Sequence, residues 1–305
     1  MSMTRAGKQG LRLAIASGKG GTGKTTVTAA LASVWSQALC RPVLAVDCDV
    51  EEPNLHLFLR PVVRRAETAR LEVPMVAEAA LCADCGACRE LCQFGAVTVM
   101  SGKPLVFPEM CHGCGGCLAV CPTGALVAGS RELGRIEEGA TETAGYLAGR
   151  LRIGEAQSPP LIRAVLARLN EIAEPGVDVL IDAPPGVSCP AVTTVSGADA
   201  VLLVAEPTPF GIHDFGLAVE AFSPLGKPMA VAINRSGPGT PELLALCRGH
   251  NLPVLAEIAS DRTVAETYAR GGLLPEAGAH YRAVCFALAQ SLAELPRTAR
   301  EAAHA

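Results

Sequence analysis

The chain has 305 residues, half of them hydrophobic and 4% aromatic, with 26 basic residues, 30 acidic residues and a formal charge of −4. That length allows about two domains and a sizeable core, and abundant Ala, Val, Leu and Gly suit a parallel α/β sheet with closely packed helices. With no basic block a nucleic-acid partner is not expected. With no bilayer-length apolar run and no leader pattern, neither membrane binding nor secretion is expected, and the cytoplasm is the expected location.

The first element is an apolar run, Leu13-Ala14-Ile15-Ala16, which predicts a buried strand. Residues Thr25 to Leu39 carry apolar side chains at helical spacing. Between them, Gly18-Lys19-Gly20-Gly21-Thr22-Gly23-Lys24-Thr25 fits G-x-x-x-x-G-K-[ST] in the strand-to-helix context that motif needs, with Thr26 just inside the helix. Glycines let consecutive backbone N–H groups turn inward on a phosphate, and the helix adds its positive end. Lys24 supplies a point charge and the Thr25 hydroxyl reaches Mg²⁺. A second strand, Val43 to Val46, ends in Asp47-Cys48-Asp49, and Glu51 to Leu55 leads into a short helix. Carboxylates beside such a loop can hold Mg²⁺ waters or orient an attacking water; two acids at a strand end also make an ordinary solvated turn.

Lys19 is not required by the general motif. With it, Lys19-Gly20-Gly21-Thr22-Gly23-Lys24-Thr25-Thr26 resembles the deviant Walker A loop of the MinD/ParA ATPase superfamily, which includes the nitrogenase iron protein and scaffold ATPases of iron–sulfur assembly. The resemblance implies that Lys19 crosses an ATP-sandwiched homodimer to the partner's phosphates, so that Lys19, Lys24 and Asp49 carry catalysis. It further implies that Asp47 and Asp49, followed by Asn54 and Leu55, form the first switch. Asp49 would position the attacking water, and Asp47 would lie in the Mg²⁺ shell or at the strand end.

Residues 62–76 read as a mixed charged and apolar connector, after which the cysteines arrive. Cys82, Cys85, Cys88 and Cys92 give C-x2-C-x2-C-x3-C; Cys111, Cys114, Cys117 and Cys121 repeat it, followed by Pro122. Each cysteine of the second run lies 29 positions after its counterpart. This is the pattern of a bacterial-type ferredoxin with two [4Fe–4S] clusters, in which the fourth cysteine of each run ligates the other cluster. One cluster would take Cys82, Cys85, Cys88 and Cys121, the other Cys111, Cys114, Cys117 and Cys92. Zinc is the competing metal for C-x2-C pairs, and the two sets of four with a crossover cysteine argue against it. Gln93 stands where such ferredoxins often have proline, and His112 reads as a spacer between ligands.

Residues 129–160 are hard to read; Gly145 to Gly154 allow a hairpin, and Pro159-Pro160 opens a helix from Leu161 to Ile172. Val177 to Asp182 predicts a third buried strand running into Ala183-Pro184-Pro185-Gly186. An apolar strand ending in Asp is the Walker B arrangement, with Asp182 on Mg²⁺ water and the Gly186 N–H available to a γ-phosphate; by resemblance this is the second switch. Further strands at 200–205, 229–233 and 254–257 alternate with helices, the last helix covering roughly Ala279 to Leu295. Asn234 matches the superfamily's adenine contact, though Asn-Arg-Ser-Gly is also a plausible turn. Cys189 stands seven residues after Asp182, where a cluster shared between subunits is weighed against an ordinary thiol, and Cys40, Cys48, Cys247 and Cys285 read as core.

The expected fold is a doubly wound, mostly parallel α/β sheet (1–65 and 130–305) interrupted by a small α+β ferredoxin domain (72–129). What the resemblance implies is an ATPase, slow without a partner, using ATP/ADP, Mg²⁺ and two [4Fe–4S] clusters. It would couple homodimerisation to electron transfer or metallocofactor assembly with a redox or metallocofactor partner protein. The alternative is a positioning or scaffold ATPase in which the clusters are structural or redox-sensing.

Overall fold

The computed structural model describes residues 10–303, and for 297–303 only the backbone path. Eleven strands are present among them: β1 (Arg12–Ala16), β2 (Val43–Asp47), β3 (Val62–Val76), β4 (Val97–Met100), β5 (Lys103–Val106), β6 (Leu126–Ala140), β7 (Gly145–Leu151), β8 (Asp178–Asp182), β9 (Ala200–Ala205), β10 (Met229–Ser236) and β11 (Val254–Ala259). Nine form one sheet in the order β11-β10-β9-β1-β8-β2-β7-β6-β3, while β4 and β5 make a separate hairpin. From β11 to β7 every pairing is parallel, and β6 is antiparallel to both of its neighbours. The α/β, doubly wound, mostly parallel architecture is therefore present.

Strand alternation explains why both faces need helices. In β1, Leu13 and Ile15 enter one core with Val27, Leu31 and Trp35 of the Lys24–Leu39 helix and Leu288 and Leu292 of the Ala279–Ala303 helix. Ala14 and Ala16 point the other way, packing with Val195, Phe215 and Phe222 from helices Cys189–Ser196 and Pro209–Phe222. A period of two with both faces apolar is what a central parallel strand requires. A third core sets Val46, Leu147 and Ile181 against the Ser158–Ile172 helix.

One buried anchor joins these layers. The carboxylate of Asp178, fully buried at the start of β8, accepts hydrogen bonds from Leu11 N at 2.8 Å and Trp35 Nε1 at 2.8 Å, and pairs with Arg41 at 3.0 Å. Replacing it by alanine strands two buried donors, so Asp178→Ala is expected to lower stability by about 3 kcal/mol, read as a fall in the urea midpoint with nucleotide binding retained.

The sheet is larger than the six strands read from sequence, and the reason lies in residues 62–76. Instead of a connector they form β3, paired antiparallel with β6 from Val62–Ala140 to Val76–Leu126. The hairpin likewise lies elsewhere: β6 and β7 form it across residues 141–144, and β7 then becomes a parallel neighbour of β2. Only Gly134 to Ala140 of β6 pair with β7, so the rest of β3 and β6 is a two-stranded ribbon projecting from the sheet edge. It carries residues 77–125 at its far end and crosses both expected domain boundaries. The last helix also runs past Leu295, with Pro296 inside it.

The 29-residue repeat recurs in the backbone of that projecting module. Single turns of 3-10 helix occupy Ala79–Leu81 and Pro108–Met110, and short helices Ala87–Leu91 and Gly116–Ala119 follow them. Left-handed φ values pair up as Gly86 +73° with Gly115 +70°, and Gly95 +65° with Gly124 +69°. The turn after Cys92 thus matches the turn after Cys121 although Gln93 replaces proline there.

Candidate nucleotide site and cysteine-lined hollows

The glycine-rich loop closes the carboxyl end of β1. Gly21 (φ +79°) and Gly23 (φ +93°) hold left-handed conformations that let the loop fold over the start of the Lys24–Leu39 helix. Gly23 caps that helix without a side-chain bond, and its first turn holds no acid. No side chain of its own first turn competes for its amides, which leaves the helix start open to an anion.

Asp182 is the hub. Fully buried at the end of β8, it accepts hydrogen bonds from Lys24 Nζ at 2.9 Å, Thr28 Oγ1 at 3.0 Å and Thr25 Oγ1 at 2.7 Å. Lys24 also lies 3.8 Å from Asp49. Burial works against the Lys24 ammonium, yet Asp182 and Asp49 outweigh it and hold its pKa above the ordinary value. Thr28 carries no motif signature, and helical spacing alone puts it one turn beyond Lys24.

Asp47, beside Asp182 in register, is committed differently. Its two oxygens accept the Asp49 N–H at 3.1 Å and the Leu55 N–H at 3.0 Å, so it ties down the strand-end loop. Burial first, then the Asp182 charge, push its pKa well above the carboxylate range.

Asp49 is half-buried and lines the cavity with Lys19, Gly20 to Thr26, Asn54, Phe58, Pro185 and Arg235, a space of about 970 Å³. On that wall the Thr22 hydroxyl is buried with no hydrogen-bond partner, a polar orphan that fits a site built for a polar ligand. Thr25 lines the same wall, and its hydroxyl donates to the Asp182 carboxylate buried behind it; the two fit a hydrated Mg²⁺ by their oxygen chemistry. Burial pushes Asp49 up to about 6, with Lys24 opposing. Its raised folded pKa makes a stability contribution that is present below about pH 4 and lost as pH rises through 6. A water-orienting role needs the opposite form, so kcat/KM is expected to rise across about pH 6, and Asp49→Asn should abolish that limb and lower kcat by 10²-fold or more, roughly.

Three residues expected at the nucleotide make other contacts within the chain. The Gly186 N–H (φ +83°) donates to Ser17 O at 3.0 Å, so a γ-phosphate must displace that bond to reach it. Asn234 is not on the cavity wall: its amide donates to Thr22 O at 2.7 Å and buttresses the loop from behind. Lys19 sits 3.8 Å from Glu206 of its own chain. Arg235, within the Asn-Arg-Ser-Gly segment that reads as a plausible turn, reaches Gly21 O and Glu206, both at 3.2 Å, and lines the cavity. Its only sequence signal was its place at a strand's carboxyl end.

In the projecting module, Cys82, Cys85, Cys88 and Cys121 line one hollow, and Cys92, Cys111, Cys114 and Cys117 line a second. The grouping follows the crossover of the two runs. Among the described residues no three His, Cys, Asp or Glu side chains are drawn together enough to hold a single metal ion. Thiolate sulfur is the donor that both zinc and iron–sulfur clusters take, so four cysteines at each hollow fit a cluster by their donor chemistry. His112 stacks on Phe94 with ring centroids 3.7 Å apart, a wall of the second hollow. Of the remaining cysteines Cys48, Cys247 and Cys285 are buried, but Cys40 is exposed at a helix end, against the expectation that it is core, and Cys189 is exposed.

The fold and the loop–Asp182 site define a nucleotide-binding α/β protein. Residues 13–274 match the CobQ/CobB/MinD/ParA nucleotide binding domain family, and the chain belongs to that family. An uncharacterised protein of Methanocaldococcus jannaschii is 34% identical over 231 residues, covering 74% of this chain and 79% of that one. A second from the same organism is 27% identical over 270 residues, covering 85% and 89%. Among solved structures, the septum site-determining protein MinD from Pyrococcus horikoshii, complexed with Mg-ADP, superposes with a TM-score of 0.56 at 21% identity over 93% of this chain and 96% of that one. The Cyanothece McdA(D38A)–ATP complex does so with 0.56 at 18%, over 96% and 98%. At those identities the likeness is one of fold. No described helix is long and apolar enough to cross a membrane.

Proposed function

We propose that this chain is an ATP-hydrolysing switch of the MinD/ParA kind, which closes into a homodimer on ATP and positions or scaffolds a partner protein. Its inserted module carries two [4Fe–4S] clusters as a structural or redox-sensing element. The observation that carries this reading is the convergence of Lys24, Thr25 and Thr28 on buried Asp182 at the strand ends, with Asp49 3.8 Å from Lys24, in a chain of a nucleotide binding domain family. Phosphoryl transfer needs positioning and electrostatic stabilisation more than covalent chemistry, and this constellation supplies both.

In this reading Lys24 and the loop amides hold the phosphates, while Thr25 and Asp182 hold the Mg²⁺ that ATP brings. Asp49 orients the water, and Lys19 leaves Glu206 for the partner's phosphates. Glu206 and Lys19 are partly exposed, so their pair contributes at most about 1 kcal/mol and releases easily. A septum site-determining protein among the fold neighbours is consistent with positioning as the output.

The second reading, an ATP-gated electron carrier or cofactor-assembly protein, keeps one supporting observation: the two hollows lined by crossed sets of cysteines. The readings separate in one experiment on anaerobically purified protein. The ATPase rate is compared with the clusters oxidised and reduced, and the cluster potential with ADP and with a non-hydrolysable ATP analogue. A rate that follows redox state with an unmoved potential supports sensing. A potential that moves with nucleotide supports electron transfer. Protein without measurable ATP hydrolysis under any of these conditions contradicts both.

A further inference from the structure

The two halves of the cysteine module are alike in backbone but unlike in their attachment. The loop after β7, residues 152–157, grips the second half. Gln157 Nε2 donates to Glu109 O at 3.2 Å, and Arg131 of β6 donates to Cys111 O at 3.3 Å. Arg131 is in turn ion-paired with Glu155, both side chains being buried (8% and 2% exposed). Arg152 stands 3.9 Å from the same carboxylate, so two cations surround one anion. Among the described residues, no hydrogen bond or ion pair of this kind reaches the Cys82–Cys88 loop from the sheet domain.

The grip also connects to the nucleotide cavity. Glu155 accepts the Gln157 N–H at 3.0 Å, just where the Ser158–Ile172 helix begins. Leu151 N donates to Val50 O at 2.8 Å, one residue past Asp49. A shift of the Asp49 loop therefore has a bonded path, through residues 50, 151 and 155, to the guanidinium beside Cys111.

We propose that Arg131, held by Glu155, is the positioning residue through which the sheet domain sets the electron affinity of the second cluster (Cys92, Cys111, Cys114, Cys117), and leaves that of the first alone. This rests on the cluster reading above. A one-electron reduction adds a negative charge to the centre, and a buried guanidinium at the Cys111 carbonyl stabilises that charge in a medium of low dielectric. Removing the guanidinium makes reduction harder; removing Glu155 frees the positive charge and makes it easier.

The test is a dithionite titration, followed by electron paramagnetic resonance, of the full chain reconstituted anaerobically with iron and sulfide. Wild type is compared with Arg131→Met, Arg131→Lys and Glu155→Gln. Each is also made in a background with Cys82, Cys85 and Cys88 replaced by alanine, which isolates the second cluster. The expected result is opposite signs. Arg131→Met lowers the second cluster's reduction equilibrium about tenfold, which is about 59 mV for one electron, Glu155→Gln raises it, and Arg131→Lys stays near wild type. The first cluster is unmoved throughout. If Arg131→Met fails to fold, the neutral double variant Arg131→Met/Glu155→Met takes its place, with a potential below wild type expected. Shifts of the same sign in Arg131→Met and Glu155→Gln, or equal shifts in both clusters, would show a merely structural pair and overturn the proposal. Wild-type protein that assembles no cluster overturns the cluster reading as well; clusters with unmoved potentials overturn this proposal alone.

Discussion

Lys24→Ala is expected to cut ATP turnover by 10²-fold or more, roughly, and to weaken nucleotide binding, because it removes the one cation buried among the strand-end carboxylates. The same change exposes the cost of building the site. Lys24 is bonded to Asp182 and lies 3.8 Å from Asp49, with Asp47 adjacent in the sheet. Without the ammonium those carboxylates face one another uncompensated in the protein interior, and a loss of about 3–5 kcal/mol follows. The loss has a definite pH dependence. Asp47 and Asp49 already bind protons more tightly folded than unfolded, and losing Lys24 raises their pKa values further. The variant should therefore regain stability as pH falls below about 6 and lose it as pH rises. Urea titrations at pH 5.5 and 8 read this out; a variant as stable as wild type at both pH values would show that Lys24 is not the counter-ion of this cluster.

The second large effect concerns which cysteines serve which hollow. On the proposed two-cluster reading, replacing Cys82, Cys85 and Cys88 by alanine should lower iron per chain from about eight to about four, those of the second cluster. Adding Cys121→Ala to that background should change nothing further, because Cys121 lines the emptied hollow; adding Cys92→Ala should remove the remaining iron. Direct ligation within each run predicts the reverse, and iron and sulfide assays on the purified variants decide between them.

What could be read in advance followed local chemistry. The glycine-rich loop, the strand-end aspartates and the cysteine runs each announce themselves because a short spacing fixes a geometry, and the structure sets them at one sheet edge and around two hollows. What escaped reading depends on contacts distant in sequence. Residues 62–76 look like a connector because Arg64, Arg65, Glu67, Arg70 and Glu72 leave no clean apolar alternation, and only pairing with residues 126–140 makes them a strand. The roles of Asn234, Arg235 and Glu206 were equally hidden: each sits more than 180 residues from the loop it braces. Asp47 was recognisable as a strand-end acid, but only the folded loop shows both of its oxygens bound to backbone amides.

These placements bear on how the switch would operate. The Gly186 N–H bonded to Ser17 and Lys19 held near Glu206 are contacts within one chain, and the proposed ATP-driven closure would exchange both for contacts with phosphate. The exchange is small in energy on each count, which suits a switch that must reverse on hydrolysis.

The most direct measurement is the molar mass of the protein in solution by light scattering, with ADP and with a non-hydrolysable ATP analogue, for wild type and for Lys19→Ala. The mass is expected to double with the analogue alone, and Lys19→Ala to bind the analogue but stay monomeric. An unchanged mass in wild type with the analogue demonstrably bound would contradict the proposed ATP-driven closure.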